Sequence, residues 1–276
     1  VTDDEAFIRA IVATPGDDAP RLVYADWLDE RGDPRRAYLR ASVAWSRRLH
    51  QVETREKAER QLRHVSRSLD SVWVARVTVP PIGICCDRVH MIDCGRPIPP
   101  SRIDELEARL KFRLPAAYRA LLLNYNGGTP QPDVYQIGYG HFSRIQAFFS
   151  LGEELIDRSG EVSDDSLDSY AERALMSSGL QGLFPIAAFV DSHRAQEDFE
   201  KEVERSMFAY PADEETCLCV RLDTGEILRA HVDLSPSTPH WRQRYALSSQ
   251  EVVASSLPVL LSQLDDVPDG WEPYYW

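Results

Sequence analysis

Four residues within ten positions, Cys85, Cys86, His90 and Cys94, are of the types that hold metal ions. Thiolates and imidazoles bind zinc, and a zinc with an open position can activate water for hydrolysis. The spacing C-C-x3-H-x3-C is not that of a ribbon or a finger, and adjacent cysteines serve one tetrahedral ion poorly. These residues read as reduced, buried packing side chains, with a metal site or a hydrolase built on them as the distant alternative. Cys217-x-Cys219 places two thiols on one face of a strand, where core packing is expected; a redox pair needs an exposed, electropositive thiol. Asp223-Thr224-Gly225 is the tripeptide of aspartic proteases, but two such aspartates must share a proton and the chain has one copy. The same residues suit a tight turn. There is no G-x-S-x-G, P-loop or H-E-x-x-H, and the seven histidines are scattered. No catalytic residue, metal ligand or cofactor is assigned, and the chain is read as non-enzymatic.

Charge says more than these motifs. The chain carries 44 acids against 31 Lys and Arg, a net charge of -13, which makes it a poor general binder of phosphate backbones. The excess is uneven. Residues 1–76 hold 13 acids and 14 bases, whereas residues 77–276 hold 31 acids and 17 bases. Residues 151–215 alone carry 17 acids against 5 bases, and residues 35–67 carry 10 bases against 3 acids. This asymmetry predicts two domains. The basic stretch 35–67 reads as a solvated face, or one docked on the chain's own acidic domain, rather than as a nucleic-acid site. The five cysteines are an odd number and the opening residues are acidic, so a reduced, cytoplasmic protein is expected. No run of 18 apolar residues suggests a membrane span.

The elements that would position these residues follow from periodicity and punctuation. Asp3 or Asp4 is expected to cap a first helix bearing Phe7, Ile8 and Ile11; Asp18 a second bearing Leu22, Val23, Trp27 and Leu28; and Asp33-Pro34 a third. Apolar residues from Tyr38 to Leu69 at steps of mostly three and four predict one long helix or two collinear ones. Ser71 to Val79 reads as a strand on its alternating, β-branched character. Ser101 and Asp104 have the spacing of a capping box before a helix with Ile103, Leu106 and Leu110 inward. A second helix, with Tyr118, Leu121, Leu122 and Tyr125 inward, stops at Asn126-Gly127-Gly128. Strands are expected at 134–139, 142–149 and Leu183 to Val190, and a hairpin from Cys217–Leu222 to Ile227–Val232. Two acidic helices are expected around Leu167–Ala174 and Ala195–Val203, and a last helix over Leu257–Leu264.

Two stretches resemble known families. Residues 17–40, DDAPRLVYADWLDERGDPRRAYLR, resemble the short repeat-companion domain at the head of many bacterial proteins, which implies architecture rather than activity. Residues 103–128, IDELEARLKFRLPAAYRALLLNYNGG, resemble the N-terminal signature of the SUKH superfamily. That group includes fungal cell-wall assembly regulators and many bacterial immunity proteins. Phe184-Pro185-Ile186-Ala187, the CLCVRLDTGEILRAHVD hairpin and SLPVLLSQL at 256–264 extend the likeness over roughly 98–265. The insertion around 191–215 departs from the family's compact pattern.

The resemblance implies an α+β fold: a helical module over 1–70, a strand or linker segment over 71–97, and a SUKH-like domain with a mainly antiparallel sheet over 98–276. It also implies a protein partner, in bacteria typically a toxin and often a nuclease; no membrane is expected, for want of a long apolar run. Asp164, Asp165, Asp168, Glu197, Asp198 and Glu200 would steer such a basic partner, with Trp271 and Tyr274 as aromatic anchors. A scaffold or regulatory adaptor without a toxin partner is the alternative.

Overall fold

The computed structural model describes residues 2–47, 52–136, 142–152, 155–156, 162–163, 182–191, 214–234 and 245–266. The chain opens with five helices: α1 (Asp3–Ala13), α2 (Ala19–Asp29), α3 (Arg35–Ser46), α4 (Val52–Ser66) and α5 (Ser71–Val77). Their starts differ in detail from the sequence reading. Thr2, not Asp3 or Asp4, caps α1: its hydroxyl accepts from the Glu5 N–H at 3.3 Å. Asp3, Asp4 and Glu5 instead fill the first turn, where negative charge suits the helix dipole. Asp17 rather than Asp18 accepts from the first amide of α2, Ala19, at 2.8 Å. Asp18 is thereby left to pair with Arg47 at 2.8 Å. Asp33 does serve α3, accepting from the Arg35 N–H at 2.9 Å.

Helices α3 and α4 are not collinear. In one continuous helix Tyr38 and Leu62 would lie about 36 Å apart, yet both belong to one hydrophobic core. The chain turns back, and Leu39 and Trp45 lie in the same core.

The expected strand over 71–79 is a helix. Asp70 caps it, accepting from the Trp73 N–H at 2.7 Å. Five consecutive residues, Trp73 to Val77, are buried. A short helix packed on both sides shows no polar face, so its 3.6-residue period is invisible in sequence and its β-branched residues suggest a strand.

Beyond it lie β1 (His90–Ile92), α6 (Pro100–Leu110), α7 (Ala116–Asn124), β2 (Thr129–Gln131), β3 (Val134–Gln136), β4 (Phe142–Phe148), β5 (Leu155–Ile156), β6 (Val162–Ser163), β7 (Leu183–Asp191), β8 (Glu214–Arg221), β9 (Ile227–Leu234), β10 (Tyr245–Ala254) and α8 (Leu257–Gln263). The expected capping box at Ser101 is not used. Helix α6 starts at Pro100, whose fixed φ suits a first helical position, and it carries no side-chain cap bond. None of the described helices is long and apolar enough to cross a membrane.

Six strands form one antiparallel sheet in the order β10-β9-β8-β7-β4-β3. The protein is thus α+β, helical at its N-terminal end and sheet-rich beyond. The sheet curls. Flat, its edge strands β3 and β10 would lie about 24 Å apart, yet the Tyr135 hydroxyl of β3 donates to the Val253 carbonyl of β10. Val134 also exchanges backbone bonds of 3.2 and 2.9 Å with Asp265, just past α8. At the centre, Leu218 and Cys219 point to opposite faces and both are 0% exposed, so β8 is covered on each side. Phe112 and Tyr118 meet the ring of Phe184 on β7, with centroids 5.5 and 6.3 Å away, and lock the α6–α7 pair onto the sheet.

Candidate partner-binding surface

The cysteine constellation separates in space. Residues 83–86 form a loop with a tight turn at Cys85, where the Cys86 N–H donates to the Ile84 carbonyl at 2.9 Å, and neighbouring side chains leave it towards different cores. Cys85 enters the helical core, while Ile84 and Cys86 enter the sheet core. Arg21 donates to the Cys85 sulfur at 3.4 Å, and that thiol reaches towards the Ile11 carbonyl at 3.7 Å. Burial pushes the Cys85 thiol up to about 11, against the pull of Arg21. Cys94, expected to be a buried packing residue, is exposed because it sits in the loop just after β1; partial desolvation still raises its thiol, as burial raises Cys86, so none of the three favours the thiolate that a nucleophile or ligand needs. His90 is exposed on β1. Among the described residues no group of three or more His, Cys, Asp or Glu is placed to hold an ion.

Cys217 and Cys219 share one face of β8, with sulfurs 3.6 Å apart and both side chains buried. The hydrogen bond between them and burial push the Cys219 thiol well up. Asp223-Thr224-Gly225 forms the β8–β9 turn. The Gly225 N–H donates to the Arg221 carbonyl and the Arg221 N–H to the Glu226 carbonyl, each at 2.8 Å. The Thr224 hydroxyl accepts from the Glu226 N–H at 3.3 Å. These residues make a turn.

The basic stretch meets acids of its own module. Arg35 pairs with Asp33 and Asp4, Arg36 with Asp29, Arg40 with Asp26 and Asp29, and Arg47 with Asp18. On α4, Arg60 and Arg63 pair with Glu56 and Glu59 one turn earlier. Each exposed pair contributes little to stability, but together they cancel much of the positive field a polyanion would seek. Among the described residues these partners come from α1, α2, α4 and the two connectors flanking α2.

The six acids proposed for partner steering, Asp164, Asp165, Asp168, Glu197, Asp198 and Glu200, lie outside the described residues. So do Trp271 and Tyr274 and the two helices expected at Leu167–Ala174 and Ala195–Val203.

The signature segment 103–128 is described throughout, and it builds two features. The first is a hub. Asn126 is 0% exposed and has φ 50°. Its side chain donates to the Arg96 and Leu151 carbonyls at 2.9 and 3.2 Å and accepts from the Leu151 N–H at 2.9 Å. Its own carbonyl accepts from Gly95 at 3.1 Å. One side chain thus ties the end of α7 to the loops after β1 and β4.

The second is a cleft of about 260 Å³ between the last turns of α6 and the connector to α7, lined by Asp104, Glu107, Ala108, Lys111, Phe112 and Arg113. Glu107 is 4% exposed and organises its wall, accepting from the Leu114 N–H at 2.8 Å, from Arg113 at 2.9 Å and from Arg119. The sequence reading did not single out Glu107. Its signal is a carboxylate inside the apolar stripe Ile103, Leu106, Leu110, which only paired burial can tolerate. Lys111 ends α6 in the left-handed region at φ 60°, where glycine is the usual residue. Lys111→Gly is therefore expected to stabilise the chain by about 0.5–1 kcal/mol, read as a higher urea midpoint, with Lys111→Ala giving no gain.

A curled six-stranded antiparallel sheet with α6, α7 and α8 defines an α+β domain, and a charged cleft lies at the end of α6. Residues 97–228 match the model of the SMI1 / KNR4 family (SUKH-1), so this part of the chain is similar to that family. The match does not extend to the preceding helices, so the likeness of residues 17–40 to the repeat-companion domain rests on its residues alone. No curated protein and no solved structure matches the chain.

Proposed function

We propose that the chain is a non-enzymatic, cytoplasmic protein-binding protein: an immunity protein that neutralises a basic toxin, of nuclease type, by covering its surface. The observation that carries this reading is the charge distribution in a chain with a SUKH-1 match. Residues 77–276 hold 31 acids against 17 bases, and 17 of those acids fall in residues 151–215. A nuclease site must be electropositive to hold phosphate, so an acidic surface would be steered to it and compete with substrate. Arg35, Arg36, Arg40, Arg47, Arg60 and Arg63 pair with neighbouring acids, and the excess negative charge of the chain falls in the later belt. Asp164, Asp165, Asp168, Glu197, Asp198 and Glu200 are the steering groups in this reading, and Trp271 and Tyr274 the anchors.

The test is protection. Cells producing a toxin encoded beside this chain should stop growing alone and recover when the chain is co-expressed. Recovery that persists after Asp164, Asp165 and Asp168 are all changed to Lys would remove the electrostatic part of the proposal. No recovery with any neighbouring toxin would favour an adaptor role instead.

A further inference from the structure

The two hydrophobic cores share a wall. Helix α5 and residues 83–86 run side by side, with the Ile84 N–H donating to the Ala75 carbonyl at 2.9 Å and the Cys85 N–H to the Thr78 carbonyl at 3.0 Å. The approach is so close that a Cβ on Gly83 would lie 2.2 Å from the Thr78 oxygen. Side chains leave this wall in both directions. Trp73, Val74, Val77 and Cys85 enter the core of α1–α4, whereas Ala75, Ile84 and Cys86 enter the core of the sheet.

One charged side chain joins the two parts at the same wall. Arg76, 6% exposed, binds Glu5 of α1 through two 2.8 Å bonds and the Asn124 side-chain oxygen of α7 at 2.7 Å. The Asn124 amide returns a bond to the Arg76 carbonyl at 3.2 Å. Glu5 belongs to the first helix and Asn124 lies within the SUKH-like signature.

We infer that the N-terminal helices and the sheet domain are one folding unit latched through Glu5–Arg76–Asn124, with the α5 side of α7 permanently occupied by the chain's own N-terminal helices. A wall shared by two cores cannot open on one side without exposing apolar surface on the other. Separating α1 from α5 would also leave the buried Arg76 charge without its carboxylate, a strongly unfavourable state. The consequence for binding is geometric: another protein must use surfaces other than the α5 side of α7. The latch stands whether or not the chain is an immunity protein.

Hydrogen exchange on the full chain tests this. In the unaltered protein, the slowest amides of α2 and α3 and those of β8 and β9 should open with equilibrium constants within about threefold of each other. Arg76→Met should speed both sets together, by tenfold or more. Glu5→Gln, which keeps the shape and removes the charge, should do the same more weakly, and it serves if Arg76→Met does not fold. A wild-type difference of a hundredfold, or a variant that speeds only the helical amides, would overturn the inference.

Discussion

Gly128→Ala is expected to lower stability by about 3 kcal/mol or more, enough to unfold a marginal domain, as read by urea denaturation of the full chain. Gly128 has φ 103°, a conformation essentially closed to a residue with a Cβ. Space forbids the change as well. An added Cβ would lie 2.6 Å from the Ile92 oxygen and 3.2 Å from the Cys94 Cα, both backbone atoms. Neither can move freely, because β1 pairs with β2 through Ile92 and Thr129, the next residue. Gly128 also exchanges backbone bonds of 3.0 and 2.9 Å with Phe148 of β4. Strain and clash therefore act together where β1, β2 and β4 converge. Gly182→Ala is the informative comparison: φ is 83° but nothing lies within 4 Å of the added carbon, so only the backbone strain should remain.

Asn126→Ala should cost about 3–5 kcal/mol by the same assay. It removes two donors and one acceptor that serve the Arg96 carbonyl and both backbone groups of Leu151. Leaving buried polar groups without partners costs roughly 1–3 kcal/mol each, less where water enters. Asn126→Gly relieves the positive φ while still emptying the hub. It should remain at least 2 kcal/mol less stable than the parent if the hydrogen bonds dominate. Asn126→Asp keeps the acceptor for Leu151 but presents oxygen to two carbonyls, and should be nearly as damaging as alanine.

These two residues mark what was legible. Asn126-Gly127-Gly128 could be read as a helix stop, because positive φ has a residue signature. That the same residues knit three strands to α7 could not, since the partners are backbone atoms of unremarkable residues. The hairpin around Asp223 and strand β7 were visible because their apolar runs are long and bounded by turn residues. Strand β10 escaped assignment. It is an edge strand, Ser248 to Glu251 are polar, and register shifts between Leu247 and Ser249 and between Val252 and Ala254 break its alternation. Helix α5 escaped for the opposite reason: five consecutive residues, Trp73 to Val77, are buried, the charged Arg76 among them, so no polar face shows its period. For the adjacent cysteines, the sequence excluded a good zinc geometry. Only the structure explains the pair: a loop that turns at Cys85 between two cores sends one thiol into each. The acidic belt was the clearest compositional signal and lies outside the described residues, so its role rests on charge and on the family match.

Calorimetric titration of the full chain into the toxin encoded beside it tests the central claim most directly. A one-to-one complex is predicted, weakened at least tenfold when Asp164, Asp165 and Asp168 are together changed to Lys, with the urea midpoint unchanged. Tenfold corresponds to about 1.4 kcal/mol, a modest demand for charges facing a basic site. Absence of a complex with any neighbouring toxin, or an affinity indifferent to the three reversals, would contradict the account.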